Sequence, residues 1–137
     1  MLAIEAVQMA APRTAVFYNG CAGVDNNKRL SILGNAILSK VLCAAWFQAR
    51  DPTGHTHSAA RWTAIRNDLI SAEGLSQRGY KVGIDKCIYV AGGMHRKSPK
   101  MVGSTLEAVV GAIFLYGGDA AVGRVIEHFG FLEHGFL

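Results

Sequence analysis

The feature that most constrains the fold is an apolar segment near the carboxyl end of the chain, Met101–Gly118, in which Glu107 is the only charged residue. A helix that is apolar on nearly all sides belongs inside a protein, so the segment predicts a buried central helix. A carboxylate at a core position is rare unless it is paired or binds a metal. Glu107 is therefore the first candidate functional residue.

A second segment, Asn26–Leu38, carries polar side chains that match this carboxylate. Ser31 and Asn35 are four residues apart, and Ser104 and Glu107 are three apart, so each pair shares one face of a helix. Both segments contain glycines, which allow two backbones to approach closely: Gly34, Gly103 and Gly111. We expect two helices that face each other across a polar cluster.

Length and composition favour a single folded domain. The chain has 137 residues, of which 50% are hydrophobic and 18% charged, and this excludes a disordered chain. The longest apolar segment contains Glu107 and ends in two glycines, so we expect no membrane span. The cysteines are odd in number and far apart, which predicts an intracellular protein with reduced thiols rather than a disulfide framework or a zinc site. A cytoplasmic and a mitochondrial location both remain open.

The helical periodicity predicts an all-α domain of about six to eight helices. Residues 84–90 alternate loosely, but a lone strand would have no partner, so a short helix is predicted there. A break is expected near Glu73-Gly74, and a basic loop before the apolar segment. The predicted helices cover residues 4–9, 27–48, 58 to about 73, a short turn to 80, 84–90, 101–118 and 119–130.

Two motifs resemble those of the ribonuclease III catalytic domain. NNKRLSILGNAIL resembles that family's NERLEFLGDAVL, and SPKMVGSTLEAVVGAIFLYGG resembles its KPSILADALEAVIGAIYLDGG. The intervening helical segment and the closing AAVGRVIEHF also align, so the resemblance covers nearly the whole chain. Two long motifs in the right order are a specific signal. The resemblance implies an all-α endonuclease-type fold that forms a homodimer, with a valley for double-stranded RNA along its two-fold axis.

The implied domain is single. Because nothing follows Leu137, we expect one ribonuclease III-like domain over residues 1–137, with no double-stranded-RNA-binding domain appended. In this respect the chain resembles the small single-domain members of the family.

The resemblance also implies an active site of four carboxylates holding magnesium, and this sequence departs from it. Ser31, Asn35 and Ser104 stand where the family has acids, Glu107 is the one acid kept, and Lys28 replaces a further glutamate. Magnesium prefers anionic oxygens at about 2.0–2.1 Å, and a two-metal mechanism places cations roughly 3.5–4 Å apart. We therefore expect no metal or other cofactor, with Glu107 binding a metal weakly at most. The polar cluster is predicted to be a hydrogen-bonded remnant.

Three functions remain open from the sequence. The leading hypothesis is a catalytically defective domain that binds double-stranded or structured RNA as a homodimer, similar to degenerate domains in mitochondrial ribosomal large-subunit proteins. The alternative is a divergent magnesium-dependent endoribonuclease in which Glu107 acts with other acids, such as Asp25, Asp68 or Glu73. The third is a dimeric scaffold for other proteins.

Two surfaces follow from the leading hypothesis. The net charge of +4 permits an anionic partner, and basic residues concentrate before the apolar segment. This cluster is either a solvated loop or a phosphate-binding surface; as the latter, it predicts RNA contacts by Arg96, Lys97 and Lys100. Ile32 matches a phenylalanine that, in the family, inserts into a hollow of the other subunit. It is the predicted dimer-interface residue.

Overall fold

A computed structural model describes residues 2–9, 25–90 and 96–137, and within these ranges the fold contains helices and no strands. The all-α prediction is confirmed. The sequence also predicts a turn at Asn19-Gly20. This turn lies outside the described residues, as do Cys21 and His95. The helices are α1 (Leu2–Val7), α2 (Lys28–Gln48), α3 (Ala59–Leu69), α4 (Ala72–Lys81), a short 3₁₀ helix (Ile84–Lys86) and α5 (Pro99–His128).

Helix α5 is the predicted central helix, and its first half is surrounded by the rest of the fold. Val102, Leu106 and Val110 are fully buried along it, and they pack in one core with buried side chains of α2 and α3. The end of this half emerges at the surface, where Tyr116 is 91% exposed. Gly118 then interrupts the helix with φ 65° and ψ −163°, a conformation that glycine adopts readily. This break separates the predicted buried helix from the predicted last helix.

The start of α5 differs from the prediction because a capping motif extends it. Ser98 is the N-cap, its Oγ accepts a hydrogen bond from the backbone nitrogen of Met101 at 3.3 Å, and Pro99 occupies the first turn. Lys100 therefore lies on the helix rather than in the predicted basic loop.

Helices α2 and α5 form the largest helix–helix contact in the described fold. At their crossing, Gly34 lies against the backbone of Glu107 and Gly111 lies against the backbone of Leu30. A side chain at either glycine would overlap a carbonyl oxygen of the other helix. This close approach was expected from the glycines, and it fixes where the side chains on both sides of the crossing emerge.

Asn27 joins three helices just before α2 begins. Its buried side-chain amide donates to the carbonyl oxygen of Ala6 at 3.0 Å and to Oγ1 of Thr105 at 3.1 Å. Its backbone nitrogen donates to the carbonyl oxygen of Gln8 at 2.9 Å. Since buried polar groups stabilise a fold only when they are paired, this network fixes α1 and the start of α2 against α5.

The predicted break near Glu73-Gly74 was wrong. The helix ends at Leu69, and α4 begins at Ala72, because Ser71 adopts an extended conformation and its Oγ accepts from the backbone nitrogen of Gly74 at 3.1 Å. Gly74 lies inside α4, where a Cβ atom would overlap the carbonyl oxygen of Asp68. The glycine therefore serves close packing rather than termination.

The helices predicted over residues 4–9 and 84–90 differ from those observed. The first is α1, which begins and ends two residues earlier than predicted, and the second is only a 3₁₀ turn of three residues. Beyond them, the backbone nitrogen of Met9 donates to Tyr89 at 2.8 Å, and that of Tyr89 donates to Val7 at 2.9 Å. The two segments thus pair with each other, a distant contact that local periodicity does not reveal.

Two helices, α2 and α5, are long and apolar enough to span a membrane by length and composition alone. The core helices of soluble proteins share this property, and these two pack against each other. The expectation of no membrane span stays a prediction.

Candidate functional site

The polar cluster predicted from the sequence forms between α2 and α5. Ser31 Oγ donates a hydrogen bond to Glu107 Oε2 at 2.7 Å, and Asn35 Nδ2 donates to Glu107 Oε1 at 2.8 Å. Each oxygen of the carboxylate therefore has a neutral donor from α2. Charge-assisted bonds of this length hold the three side chains in one arrangement.

The expected core position of Glu107 was wrong, because its side chain is only partly buried and Asn35 is exposed. Gly34 and Gly111 bring the helix backbones together, so side chains beside the crossing emerge along the groove rather than within the core. The cluster is therefore open to a ligand from solvent.

Ser104 lies beside Glu107 but differs from the two α2 residues. Both side chains line a pocket of about 190 Å³ with Lys100 and Ile70, which we call the Glu107 pocket. Ser104 makes no hydrogen bond to the carboxylate there, because Glu107 turns towards its donors on α2. The sequence reasoning that all three polar residues could hydrogen-bond Glu107 thus holds for two of them.

The three predicted RNA-contacting residues have different surroundings. Lys100 lines the Glu107 pocket, Arg96 is exposed before α5, and Lys97 is half-buried. The carbonyl oxygen of Lys97 accepts a hydrogen bond from the Tyr80 hydroxyl at 3.1 Å, which ties this basic segment to α4. Only Lys100 lines the candidate site itself.

The side-chain oxygens around Glu107 do not form a suitable ligand set for magnesium. The set contains one carboxylate with both oxygens already accepting hydrogen bonds, whereas magnesium is held by anionic oxygens and water. Within residues 2–9, 25–90 and 96–137, no three side chains of His, Cys, Asp or Glu group together as metal ligands.

The other acids considered for catalysis lie apart from this carboxylate. Asp68 and Glu73 line a different pocket. Asp68 Oδ2 lies 3.0 Å from Nε2 of His134, and Glu73 Oε1 accepts a hydrogen bond from Gln77 Nε2 at 3.1 Å. Asp25 is exposed and does not line the Glu107 pocket.

The predicted interface residue is exposed on the adjoining face of α2. Ile32 is 66% exposed, and Ala36, one turn later, is also exposed. An apolar side chain this far out of the core is available for contact with another surface.

Comparison with known protein families agrees with this fold. The family model described as Ribonuclease-III-like matches residues 16–133. The chain belongs to the ribonuclease-III-like family.

Curated relatives of this ribonuclease-III-like chain include several enzymes named ribonuclease 3. That of Legionella pneumophila (strain Corby) is 32% identical over 111 residues, which is 77% of this chain and 47% of the relative. That of Treponema pallidum is 32% identical over 110 residues, 76% of this chain and 41% of the relative. The chain thus spans less than half the length of these relatives.

A solved structure has the same fold. The nuclease domain of ribonuclease III from Campylobacter jejuni matches with a TM-score of 0.72 and 20% identity, covering 93% of this chain and 83% of that one. The helices described above therefore follow the ribonuclease III nuclease-domain architecture.

The fold brings together the four positions that the sequence motifs assigned to the site, Ser31, Asn35, Ser104 and Glu107. It also reveals neighbours that the motifs did not assign to it. Thr63, Arg66 and Asn67 line a polar pocket with Asn35. These residues lie next to Asn35 because α3 packs beside α2, and no local pattern in the sequence predicts this packing.

Proposed function

We propose that this ribonuclease-III-like domain binds double-stranded or structured RNA as a homodimer and does not cleave it. The observation that carries the proposal is the state of Glu107. It is the one carboxylate of the cluster, and Ser31 and Asn35 engage both of its oxygens. A phosphodiester is hydrolysed by metal-bound water only where the site can hold the metal, and two cations need more negative charge than one carboxylate supplies.

RNA binding is supported by the basic side chains beside the cluster. Arg96 and Lys100 are exposed, and Lys100 lines the Glu107 pocket. Since phosphates dominate the affinity of nucleic-acid complexes, such a surface favours binding that depends on charge rather than on sequence.

Replacing Arg96, Lys97 and Lys100 together by alanine should weaken binding to duplex RNA and flatten its dependence on salt. The slope of log K against log salt is negative, and each lost phosphate contact reduces its magnitude by roughly one unit. We therefore expect the magnitude to decrease by about two to three units. Fluorescence anisotropy over a range of salt concentrations measures it.

The control removes the same charge elsewhere, by replacing the exposed residues Lys40, Lys86 and Arg124 with alanine. An equal loss in both variants, or wild-type protein that does not bind duplex RNA at low salt, would contradict the assignment of this surface. The second result would favour the scaffold hypothesis.

The homodimer is supported by two apolar features of the surface. Ile32 projects from α2, and a hollow of about 610 Å³ opens between α1 and α5, lined by Leu2, Ala6, Ile113 and Tyr116 among others. In a two-fold dimer, the side chain of one subunit can enter a hollow of the other, and the same contact occurs twice. The Campylobacter protein is likewise described with a region involved in dimer formation.

The change Ile32→Asp should convert the dimer into a monomer. An unpaired carboxylate buried at both symmetry-related contacts is strongly unfavourable, so we expect the dissociation constant to rise by about 100-fold or more. Sedimentation equilibrium at roughly tens of micromolar measures the change, with Val82→Asp as the control at another exposed apolar residue. Wild-type protein that is monomeric, or an Ile32→Asp protein that still dimerises, would contradict this interface.

A further inference from the structure

A second pocket, of about 350 Å³, adjoins the Glu107 pocket. It lies between the start of α2 and the start of α5, and Lys28 and Lys100 both line it with Ser31, Ser104 and Asn26. We call it the lysine pocket. It shares Lys100 and Ser104 with the Glu107 pocket, but Glu107 does not line it.

The two ammonium groups have no carboxylate partner. All ten acidic residues of the chain lie within the described ranges, and none forms an ion pair with Lys28 or Lys100. Glu107 lines the adjoining pocket with Lys100, but its oxygens already accept hydrogen bonds from Ser31 and Asn35. Positive charge in the lysine pocket is therefore not neutralised by a direct contact.

The positions of the lysines on their helices increase this local charge. Lys28 begins α2 and Lys100 lies in the first turn of α5, and neither helix has an acid in its first turn. Cations are unfavourable near a helix N-terminus, because the backbone amides there already carry partial positive charge. A bound anion would offset both the charges of the lysines and the partial charges of the helix N-termini.

The neutral groups of the pocket are suited to the same ligand. Ser31 is committed to Glu107, but Ser104 donates no hydrogen bond to that carboxylate and its hydroxyl can donate into the pocket. The side-chain oxygen of Asn26 accepts from the backbone nitrogen of Lys28 at 3.2 Å, which leaves its amide hydrogens as donors. Two ammonium groups with hydroxyl and amide donors match the oxygens of a phosphate.

We propose that the lysine pocket binds a phosphate group directly, without a metal ion. Its positive charge would come from Lys28 and Lys100, so that ligand binding needs no metal-binding carboxylates. As an RNA site, the inference rests on the proposed function, because the phosphate is then a backbone phosphodiester. A terminal phosphate of an RNA strand and free phosphate present the same chemistry.

The experiment compares duplex RNA with 5′-hydroxyl ends and the same duplex with 5′-phosphate ends, by anisotropy at low salt. Wild-type protein should bind equally well in EDTA and in magnesium. Lys28→Gln combined with Lys100→Gln should weaken binding by roughly tenfold or more and lower the salt slope by about two units. The control Lys86→Gln should bind like wild type, since exposed Lys86 does not line either pocket. Circular dichroism shows that each variant is folded.

The two duplexes identify the source of the phosphate. A loss confined to the 5′-phosphorylated duplex assigns the pocket to a terminal phosphate, and an equal loss on both assigns it to the backbone. If RNA binds but the double variant binds as tightly as wild type, or if EDTA abolishes binding, the inference is overturned while the proposed function stands.

Inorganic phosphate tests the lysine pocket independently of RNA binding. If wild-type protein does not bind RNA, the proposed function fails. A titration with inorganic phosphate, followed by NMR, then tests whether the lysine pocket binds phosphate. Saturable shifts of the Lys28 and Lys100 amides in wild type, absent from the double variant, support a phosphate site. Their absence from wild type overturns it.

Discussion

Gly34→Ala should unfold the domain or lower its free energy of unfolding by about 3 kcal/mol or more. A Cβ atom at Gly34 would overlap the backbone carbonyl oxygen of Glu107 and lie 3.0 Å from the backbone nitrogen of Gly111. Both atoms belong to a helix backbone and cannot rotate away, so α2 and α5 would have to separate. Overpacking a dense core typically costs 1–3 kcal/mol, and more where the backbone must move.

The matched control is Gly123→Ala. Gly123 also lies in α5 but has open space where its Cβ would be, so alanine there should leave stability unchanged or raise it by up to about 1 kcal/mol. Urea denaturation followed by circular dichroism compares both variants with wild type. Similar unfolding curves for Gly34→Ala and Gly123→Ala would contradict the account of the crossing.

This crossing connects the fold to the site. Glu107 contributes the backbone carbonyl that Gly34 contacts and also the carboxylate that Ser31 and Asn35 hold. A folded Gly34→Ala protein with separated helices should therefore also lose the arrangement of this cluster.

The largest functional change is expected from restoring the missing acids. The triple variant Ser31→Glu, Asn35→Asp, Ser104→Asp would place carboxylates from both helices around the side chain of Glu107. We expect it to cleave duplex RNA in magnesium at least about 100-fold faster than background, which corresponds to a barrier lower by about 2.7 kcal/mol. Gel analysis of end-labelled duplex measures the rate.

A variant with the same side-chain sizes but no added charge is the control: Ser31→Gln with Ser104→Asn, and Asn35 unchanged. It should leave the duplex intact. Four close carboxylates repel one another, so magnesium should also raise the melting temperature of the triple variant and not that of the control. A folded triple variant that magnesium stabilises but that does not cleave would contradict the view that the lost acids silence the site.

The sequence predicted the elements whose signals are local. The helix predicted over 27–48 is α2 at Lys28–Gln48, because apolar residues recur in it at helical spacing and a turn sequence, Asp51-Pro52-Thr53-Gly54, follows it. The α5 segment was identified by its nearly unbroken apolar composition, and Ser31, Asn35 and Glu107 were placed together by motifs that span both helices.

What the sequence could not provide depends on how the helices pack. The partial exposure of Glu107 follows from the close approach of α2 and α5 at their glycines. The sequence predicts a helix break at Gly74, whereas the structure shows that this glycine allows α4 to pack against the backbone of Asp68. Lys28 and Lys100 are far apart in sequence and share a pocket only because α2 and α5 begin side by side. The pairing of Tyr89 with Val7 and Met9 is likewise a contact between distant segments.

The most direct test of binding without cleavage incubates the unmodified protein with an end-labelled RNA duplex in millimolar magnesium, and separately in manganese. Band shifts and a denaturing gel from the same reaction report binding and cleavage. The account predicts a shifted band whose strands remain at full length, with binding that persists in EDTA. Products with two-nucleotide overhangs that form in magnesium or manganese and disappear in EDTA would contradict it and establish the endoribonuclease alternative.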